Sequence, residues 1–520
     1  MSRPQQLSGT AAVSRALLPL PGFGRGLTAW DAPKLSASRP IVAVLCFVGF
    51  VAIWTVYASI AGSGLSLHGD VAEAYVWGRE FQLGYNQHPP FWAWIAGLWF
   101  MVFPNQNWSF HLLAVLNSAL GLLGAWYLLG RLATEWERRA SLMLLLLTPF
   151  YTFLCFKYNA NTIFLSIWPW TLYFLIGSLQ TRRAHSAIGL GLMLGIALLS
   201  KYYAVILVGT CFAASLVHAD RAAWYRSGAP CIAASLCALL FLPHAVWLLH
   251  ADAPPVVYIW GRTGIGWLRS IGYGAEFLIA VLLYHGLSLL LIVTAASPTH
   301  RLHEWLRLRQ DPVLVTLVLT PVLLTILFGF LFELKISSNM AVGVFPLLPL
   351  LAIRTVRNVD THRLFLRSRR FVLAVTTGAL VASPVIAGVV FASDSDPGAK
   401  EPRQELAQFV TKLWHEQTQA PLRIVAGSDP YENAIGFYSP DRPSVFIDFS
   451  RRRAPWITPA AIAKDGLLAA CVQGDSICAD HAAQLPLARV HQFDVTLSHA
   501  FRGSSRPPVT FDIYLLPPGH

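Results

Sequence analysis

Repeated apolar runs of membrane-spanning length constrain this chain more than any other feature. They fall near 41–62, 109–130, 140–156, 162–179, 187–200, 202–217, 229–249, 272–297, 312–332, 338–353 and 371–392. A helix crosses hydrocarbon with ~20 apolar residues, because no water is there to satisfy an open backbone. The runs therefore predict about eleven spans, several of them short. Composition agrees: 55% of the 520 residues are apolar and only 13% are charged, where a soluble chain carries roughly a quarter charged. Mean hydropathy is +0.51. The expected fold class is a polytopic α-helical membrane protein. The net charge of +12 does not point to nucleic acid, since the basic residues fall in short loops between the runs. The polar, basic tail through Arg39 runs straight into a full span, so the first helix is expected to be retained rather than removed as a signal peptide.

Charge asymmetry sets the expected topology. The fifth and sixth runs form one apolar stretch of about 31 residues interrupted by Lys201, too long for one ordinary span and short for two. With residues 1–40 cytoplasmic, every second loop should carry lysine and arginine. Arg131, Arg138 and Arg139, then Arg182 and Arg183, Arg221 and Arg226, Arg301, Arg307 and Arg309, and the six arginines of 354–370 keep that alternation only if 187–217 is a hairpin turning at Lys201. The opposite loops then lie outside the cytoplasm, and they hold the unusual polar residues: Asp70, Glu73, His88, Lys157, Asn159, Asn161, Lys201, Asp252, Arg262, Glu333 and Lys335.

Residues 393–520 change character, with prolines, charges and short apolar runs such as LRIVAG, SVFID and DIYLLPP. They read as strands of a soluble α/β domain carried outside behind the last span. Three regions are thus expected: a cytoplasmic tail 1–40, a membrane module 41–392 with its first external loop at 63–108, and an extracytoplasmic domain 393–520. Of seven cysteines none shows metal-ligand spacing. Cys471 and Cys478 would either bond or stay two free thiols; spacing leaves both open.

Chemistry concentrates in HGDVAEAYVWGREFQLGYNQHPPFWAW, residues 68–94. Asp70, Glu73 and Trp77 share one side of a helix at i, i+3, i+7. The D-V-A-E pattern also matches a capping box, with Asp70 at the N-cap and Glu73 reaching back. His88-Pro89-Pro90 should stop that helix and start another. A carboxylate beside an apolar surface can accept a hydroxyl proton. His88 could meet a phosphate as imidazolium, or simply pack among aromatics at a helix start. Lys201, in LLSKYY, either snorkels to the surface or pairs with an anionic lipid phosphate, with Tyr202 or Tyr203 adding a hydroxyl. Arg262 is a second phosphate candidate or a plain interfacial arginine. Trp77, Trp92, Trp94, Trp99 and Trp108 read mostly as interfacial belt aromatics.

These residues resemble a known group. The stretch 68–94 is similar to the first external loop of the GT-C membrane glycosyltransferases, in the branch of protein O-mannosyltransferases and lipid A aminoarabinose transferases (glycosyltransferase family 39). GLMLGIALLSKYYAVIL resembles the same branch's glycine-rich helix ending in Leu-(Ser/Thr)-Lys-Tyr, and the similarity spans 40–392. The resemblance implies a GT-C-like module of about eleven helices with juxtamembrane helices in the first external loop. It implies transfer of a sugar from a polyprenyl-phosphate donor to an acceptor hydroxyl, on lipid A, another glycan or a protein, with inversion. By position Asp70 matches the catalytic carboxylate, with Glu73 nearby. His88 takes the Lys/His place before the prolines, and Lys201 matches the phosphate-contacting lysine. Tyr202 and Arg262 join the expected phosphate set, and Tyr85, Asn159 and Asn161 the expected substrate loop. Two departures stand out. The usual Asp-Glu pair is Asp70-Val71 here, and an acidic residue often found at the next external turn is Asn161. A metal-assisted site is accordingly not supported by the sequence, which leaves no cofactor certain and a divalent metal open.

The expected partners are a polyprenyl-phosphate-linked sugar, a lipid or glycan acceptor and membrane lipids, at a bacterial inner membrane. The alternative is a lipid-linked sugar flippase or transporter. It would place functional charges along a path through the bilayer on broken helices, rather than towards one side.

Overall fold

The computed structural model describes residues 40–251, 254–296, 311–393, 397–485 and 490–519. The basic tail, Asp252, Arg301, Arg307 and Arg309 lie outside the described residues. The membrane region runs α1 (Pro40–Ala61), α2 (Gly69–Gly78), α3 (Phe91–Val102), α4 (Asn107–Leu132), α5 (Glu135–Leu146), α6 (Phe164–Thr181), α7 (Ala184–Leu198) and α8 (Ala204–Val217). It continues with α9 (Arg221–Tyr225), α10 (Ala229–His250), α11 (Pro254–Trp260), α12 (Trp267–Tyr284), α13 (Gly286–Ala295), α14 (Pro312–Leu331), α15 (Leu348–Thr355) and α16 (Thr361–Ala392).

Six of these helices among the described residues are long and apolar enough to cross a bilayer: α1 from Ile41, α4, α10, α12, α14 and α16. Their outward faces are apolar, as at Leu249, Leu283 and Val381, each more than 70% exposed. Such surfaces are stable against lipid and not against water. Three of the expected runs are interrupted. The run 140–156 is helical only to Leu146, after which Pro149 opens a short 3-10 turn. The run 272–297 divides at His285, and 338–353 yields a 3-10 turn at Ser338–Ala341 and then the start of α15, between Pro346 and Pro349. Proline supplies no backbone donor and blocks the preceding turn, so these apolar runs do not each form one unbroken helix. The stretch around Lys201 does divide into two helices, ending at Leu198 and resuming at Ala204. At 15 and 14 residues each is about 22 Å long, shorter than the hydrocarbon core.

Two of the basic loops pack together. The Arg354 guanidinium donates to both oxygens of Glu137, at 3.0 and 3.1 Å, and to the Leu132 carbonyl. Thr134 and Glu137 form the capping box that starts α5.

The strand-containing region holds α17 (Arg403–Thr418), β1 (Ile424–Gly427), α18 (Tyr431–Tyr438), β2 (Ser444–Val445), α19 (Pro459–Asp465) and β3 (Leu467–Val472). After α20 (Ser476–Ala482) come β4 (His491–Leu497), β5 (Ala500–Phe501), β6 (Ser504–Ser505) and β7 (Val509–Leu516). The main sheet has the order β2-β1-β3-β7-β4. Its β1 pairs are parallel and its β7 pairs antiparallel. The expected strands are present, although SVFID contributes only Ser444 and Val445 before a 3-10 turn. The central β3, LLAACV, is buried through Cys471 and belongs to no alternating pattern, as a strand covered on both faces should. Cys471 and Cys478 form a disulfide between β3 and α20.

Helix α2 is held between the two regions, against α3 on one side and α18 on the other. At its crossing with α3, a Cβ on Gly78 would stand 2.0 Å from the Ala93 carbonyl oxygen, and one on Gly97 2.3 Å from that of Gly78. Only glycine permits this approach. Tyr75, Phe100 and Phe437 close the opposite contact with edge-on rings 5.3–5.4 Å apart.

Candidate active site

The loop 157–161, KYNAN, joins the two residues on which the sequence reading turns. Asn159 bends the loop on itself, its Oδ1 accepting from the Asn161 and Thr162 backbones at 2.8 and 3.2 Å. Its Nδ2 then donates to Asp70 Oδ2 at 3.3 Å, and Lys157 Nζ stands 3.5 Å from the same oxygen. Two residues on, Asn161 Oδ1 accepts a hydrogen bond from Lys201 Nζ. At most ~7 Å of backbone separates these anchor points. The loop is rigid from below, since buried Asn117 donates to the Thr162 carbonyl at 2.7 Å and accepts from Ser166.

Asp70 lies in the first turn of α2, but it is not the cap. His68 caps the helix, its Nδ1 accepting from the Asp70 backbone at 3.2 Å, and no return bond from Glu73 forms. The expected capping box is therefore corrected. Its failure frees both carboxylates, since neither is spent on the backbone. His68 Nε2 pairs with Lys157 Nζ at 2.8 Å, and about half of the Asp70 side chain stays exposed.

Nor does His88-Pro89-Pro90 stop α2, which ends ten residues earlier at Gly78. The motif does lead into α3, whose first backbone N–H, on Phe91, donates to the Leu199 carbonyl at 2.8 Å. That bond brings His88 beside Lys201. His88 is packed near Trp77 and Trp92, at ring separations of 6.4 and 5.9 Å. Burial, and then the Lys201 charge, lower its proton affinity to a pKa of about 3. Both causes favour the neutral imidazole packed among aromatics over the imidazolium. Burial also lowers Lys201 to about 8, with Asp70 opposing. Arg262 lies over the Tyr258 ring at 4.4 Å and is close enough for its charge to act on His88.

Other expected members serve the frame. Tyr85 is buried, stacked on Trp77 at 4.9 Å, and donates to the Trp77 carbonyl at 2.6 Å. Tyr202 hydrogen-bonds His244 Nε2 at 2.8 Å, while His244 Nδ1 meets the Leu83 carbonyl at 2.7 Å. That relay ties α10 to the first loop. Tyr203 is engaged with Thr325. Trp77 and Trp92 are core residues rather than belt aromatics. Glu333 and Lys335 stay apart, at the start of α12 and over Tyr273.

Glu73, one turn on from Asp70, is raised to about 8, first by burial and then by the charges of Asp70 and Asp429. Between about pH 4.5 and 8 the folded protein keeps this proton and the unfolded chain does not, so stability falls as pH rises through that window. Glu73→Gln should remove the slope. Thermal unfolding of the full chain in detergent is expected to show the variant gaining on wild type between pH 5 and pH 8; parallel curves would contradict the assignment.

Sequence reasoning missed Asp429, Asn433, Asp448 and Arg453, all from the strand-containing region. With Glu73, Trp77, Asn86, Gln87 and Ile447 they line a cavity of about 60 Å³. Arg453 is ion-paired with Asp448. No local pattern marks these residues; Asp429 precedes α18, Asn433 lies in it, Asp448 and Arg453 follow β2, and they meet Glu73 only through α18 docking on α2. Among the described residues no three His, Cys, Asp or Glu side chains form a metal-ligating group. Beside Asp70 the cationic partner is Lys157.

Residues 87–247 match the family model described as dolichyl-phosphate-mannose-protein mannosyltransferase. No curated protein matches the chain in sequence. The apo crystal structure of ArnT from Cupriavidus metallidurans superposes with a TM-score of 0.60 at 15% identity, covering 91% of this chain and 98% of that one. The crystal structure of the same protein bound to undecaprenyl phosphate gives 0.58 at 16% identity, over 90% and 97%. The chain is a membrane protein with an ArnT-like GT-C glycosyltransferase fold.

Proposed function

We propose, from that ArnT-like fold, that this protein transfers a sugar from a polyprenyl-phosphate donor to an acceptor hydroxyl at the outer face of a bacterial inner membrane. The observation that carries this reading is the joining of Asp70 and Lys201 through the single loop 157–161. One group can take a proton and the other can hold a phosphate, within the span of one headgroup. A structure with undecaprenyl phosphate bound to a protein of the same fold supports the lipid class of the donor.

In this reading Asp70 accepts the acceptor hydroxyl's proton as the new oxygen–carbon bond forms at the anomeric carbon. The bond from that carbon to the phosphate oxygen breaks with inversion, and the electron pair leaves on the lipid phosphate. Lys201 and Arg262 stabilise that charge, and His88 can donate one neutral hydrogen bond to it. Glu73 keeps a proton at neutral pH and adds no second negative charge beside the base. The lipid tail lies against the apolar helices. The N-terminal tail faces the cytoplasm, and the domain 393–520 faces the periplasm.

The test is reconstitution of the full chain in vesicles with undecaprenyl-phosphate-linked sugars labelled in the sugar. Label is expected to move to an acceptor glycan or glycolipid added outside. Label that crosses the bilayer still attached to its lipid, with none transferred, would establish the transporter instead.

A further inference from the structure

Asp70 stands between two sets of groups that do not overlap. On one side are Lys157, Asn159 and, through Asn161, Lys201. On the other is the cavity of Glu73, Asp429, Asn433, Asp448 and Arg453, to which none of the first set contributes. The Asp70 charge acts on both Glu73 and Lys201, and Asp429 and Arg453 act on Glu73 as well. An inverting displacement needs its leaving group and its nucleophile on opposite sides of the reacting carbon. With the phosphate at Lys201, the nucleophile's side is the cavity side.

The cavity has an unmet demand of its own. Asn433 is 5% exposed; its Nδ2 donates to Asp429 Oδ1 at 3.3 Å, while its Oδ1 is buried without a hydrogen-bond partner. A buried carbonyl oxygen of this kind is costly unless a ligand donates to it. Around it stand three carboxyl groups, two further amides at Asn86 and Gln87, and one guanidinium already paired with Asp448. Such walls exchange hydrogen bonds with adjacent hydroxyls, while Glu73 keeps its proton and Arg453 is spent on Asp448, so the lining leaves no cation to hold an anion.

We infer that the strand-containing domain supplies, through Asp429, Asn433 and Arg453, an acceptor subsite for an uncharged, hydroxyl-bearing sugar headgroup, and that it disfavours the same headgroup carrying a phosphomonoester. This rests on the transferase reading for its orientation, but the subsite itself is a binding claim. It assigns acceptor choice to a domain whose sequence shows no recognisable site.

The experiment uses two probes, an alkyl disaccharide with free hydroxyls and the same molecule bearing one phosphomonoester. Both are measured by saturation-transfer NMR on the full chain in detergent, beside undecaprenyl phosphate. Wild type should bind the neutral probe at least tenfold more tightly than the phosphorylated one. Asn433→Leu should weaken the neutral probe at least tenfold while leaving undecaprenyl phosphate unchanged, which also reports a folded protein. Asp429→Asn should bring the two probes to within about threefold of each other. Preference for the phosphorylated probe in wild type, or a neutral-probe affinity unmoved in Asn433→Leu, overturns the inference. Failure of the transferase reading would show differently, as no label leaving the donor whatever the probes do.

Discussion

Asp70→Asn is expected to cut sugar transfer by roughly 10²–10⁴-fold, the range that removal of a general base commonly costs. The structure argues that the fold will survive the change. Asp70 does not cap α2, its side chain is half-exposed, and an asparagine oxygen can still accept from Asn159 Nδ2. What is lost is the contact with Lys157 at 3.5 Å, a surface pair worth about 0–1 kcal/mol. Initial rates in vesicles and thermal unfolding should therefore separate cleanly, with a near-dead enzyme of near-normal stability. Turnover within threefold of wild type would remove Asp70 from the mechanism.

Lys201→Ala should produce the second large effect, a loss of roughly 10²–10³-fold in kcat/KM for the donor, as for other charge-stabilising donors. Some destabilisation is expected as well, because Asn161 Oδ1 loses the donor it now accepts from, at a cost of about 1–3 kcal/mol if left unpaired. Lys201→Arg separates the two effects by restoring charge and hydrogen bonding. The pH profile is a further readout. With its proton affinity lowered to about 8 by burial, the Lys201 ammonium is present below that pH and is lost as pH rises through it. Activity should fall on the alkaline side in wild type, and the fall should move to higher pH in Lys201→Arg. A phosphate bound against the ammonium would shift it in the same direction. An alkaline limb unchanged by Lys201→Arg would take Lys201 out of phosphate handling.

Lys201 and Asp70 differ in how they were legible. Lys201 announced itself, since an ammonium between two apolar runs has few explanations. Asp70 was visible only as an acid in an unusually polar loop, and the local pattern misassigned it to a cap. His68 won that position because its ring nitrogen reaches the Asp70 backbone from outside the helix, a choice that depends on the entry angle of the chain. His88 shows the same limit from another side. Its sequence neighbours placed it at the start of α3, but its proton affinity is lowered by burial and then by Lys201, more than a hundred residues away.

Periodicity and apolar length are properties of neighbouring residues, so the membrane class, the break at Lys201, the helix carrying Asp70 and the first and last strands of the C-terminal sheet could all be read from the chain in order. The helix breaks inside apolar runs could not, because prolines at 149 and 346–349 and the division at His285 end helices that hydropathy alone would continue. The cavity walls could not either. Asp429, Asn433, Asp448 and Arg453 look like ordinary surface polar residues until α18 packs on α2, and only then do desolvation and proximity turn them into a site. Chemistry that arises from one segment is written locally; chemistry that arises from two segments meeting exists only once the contact has formed.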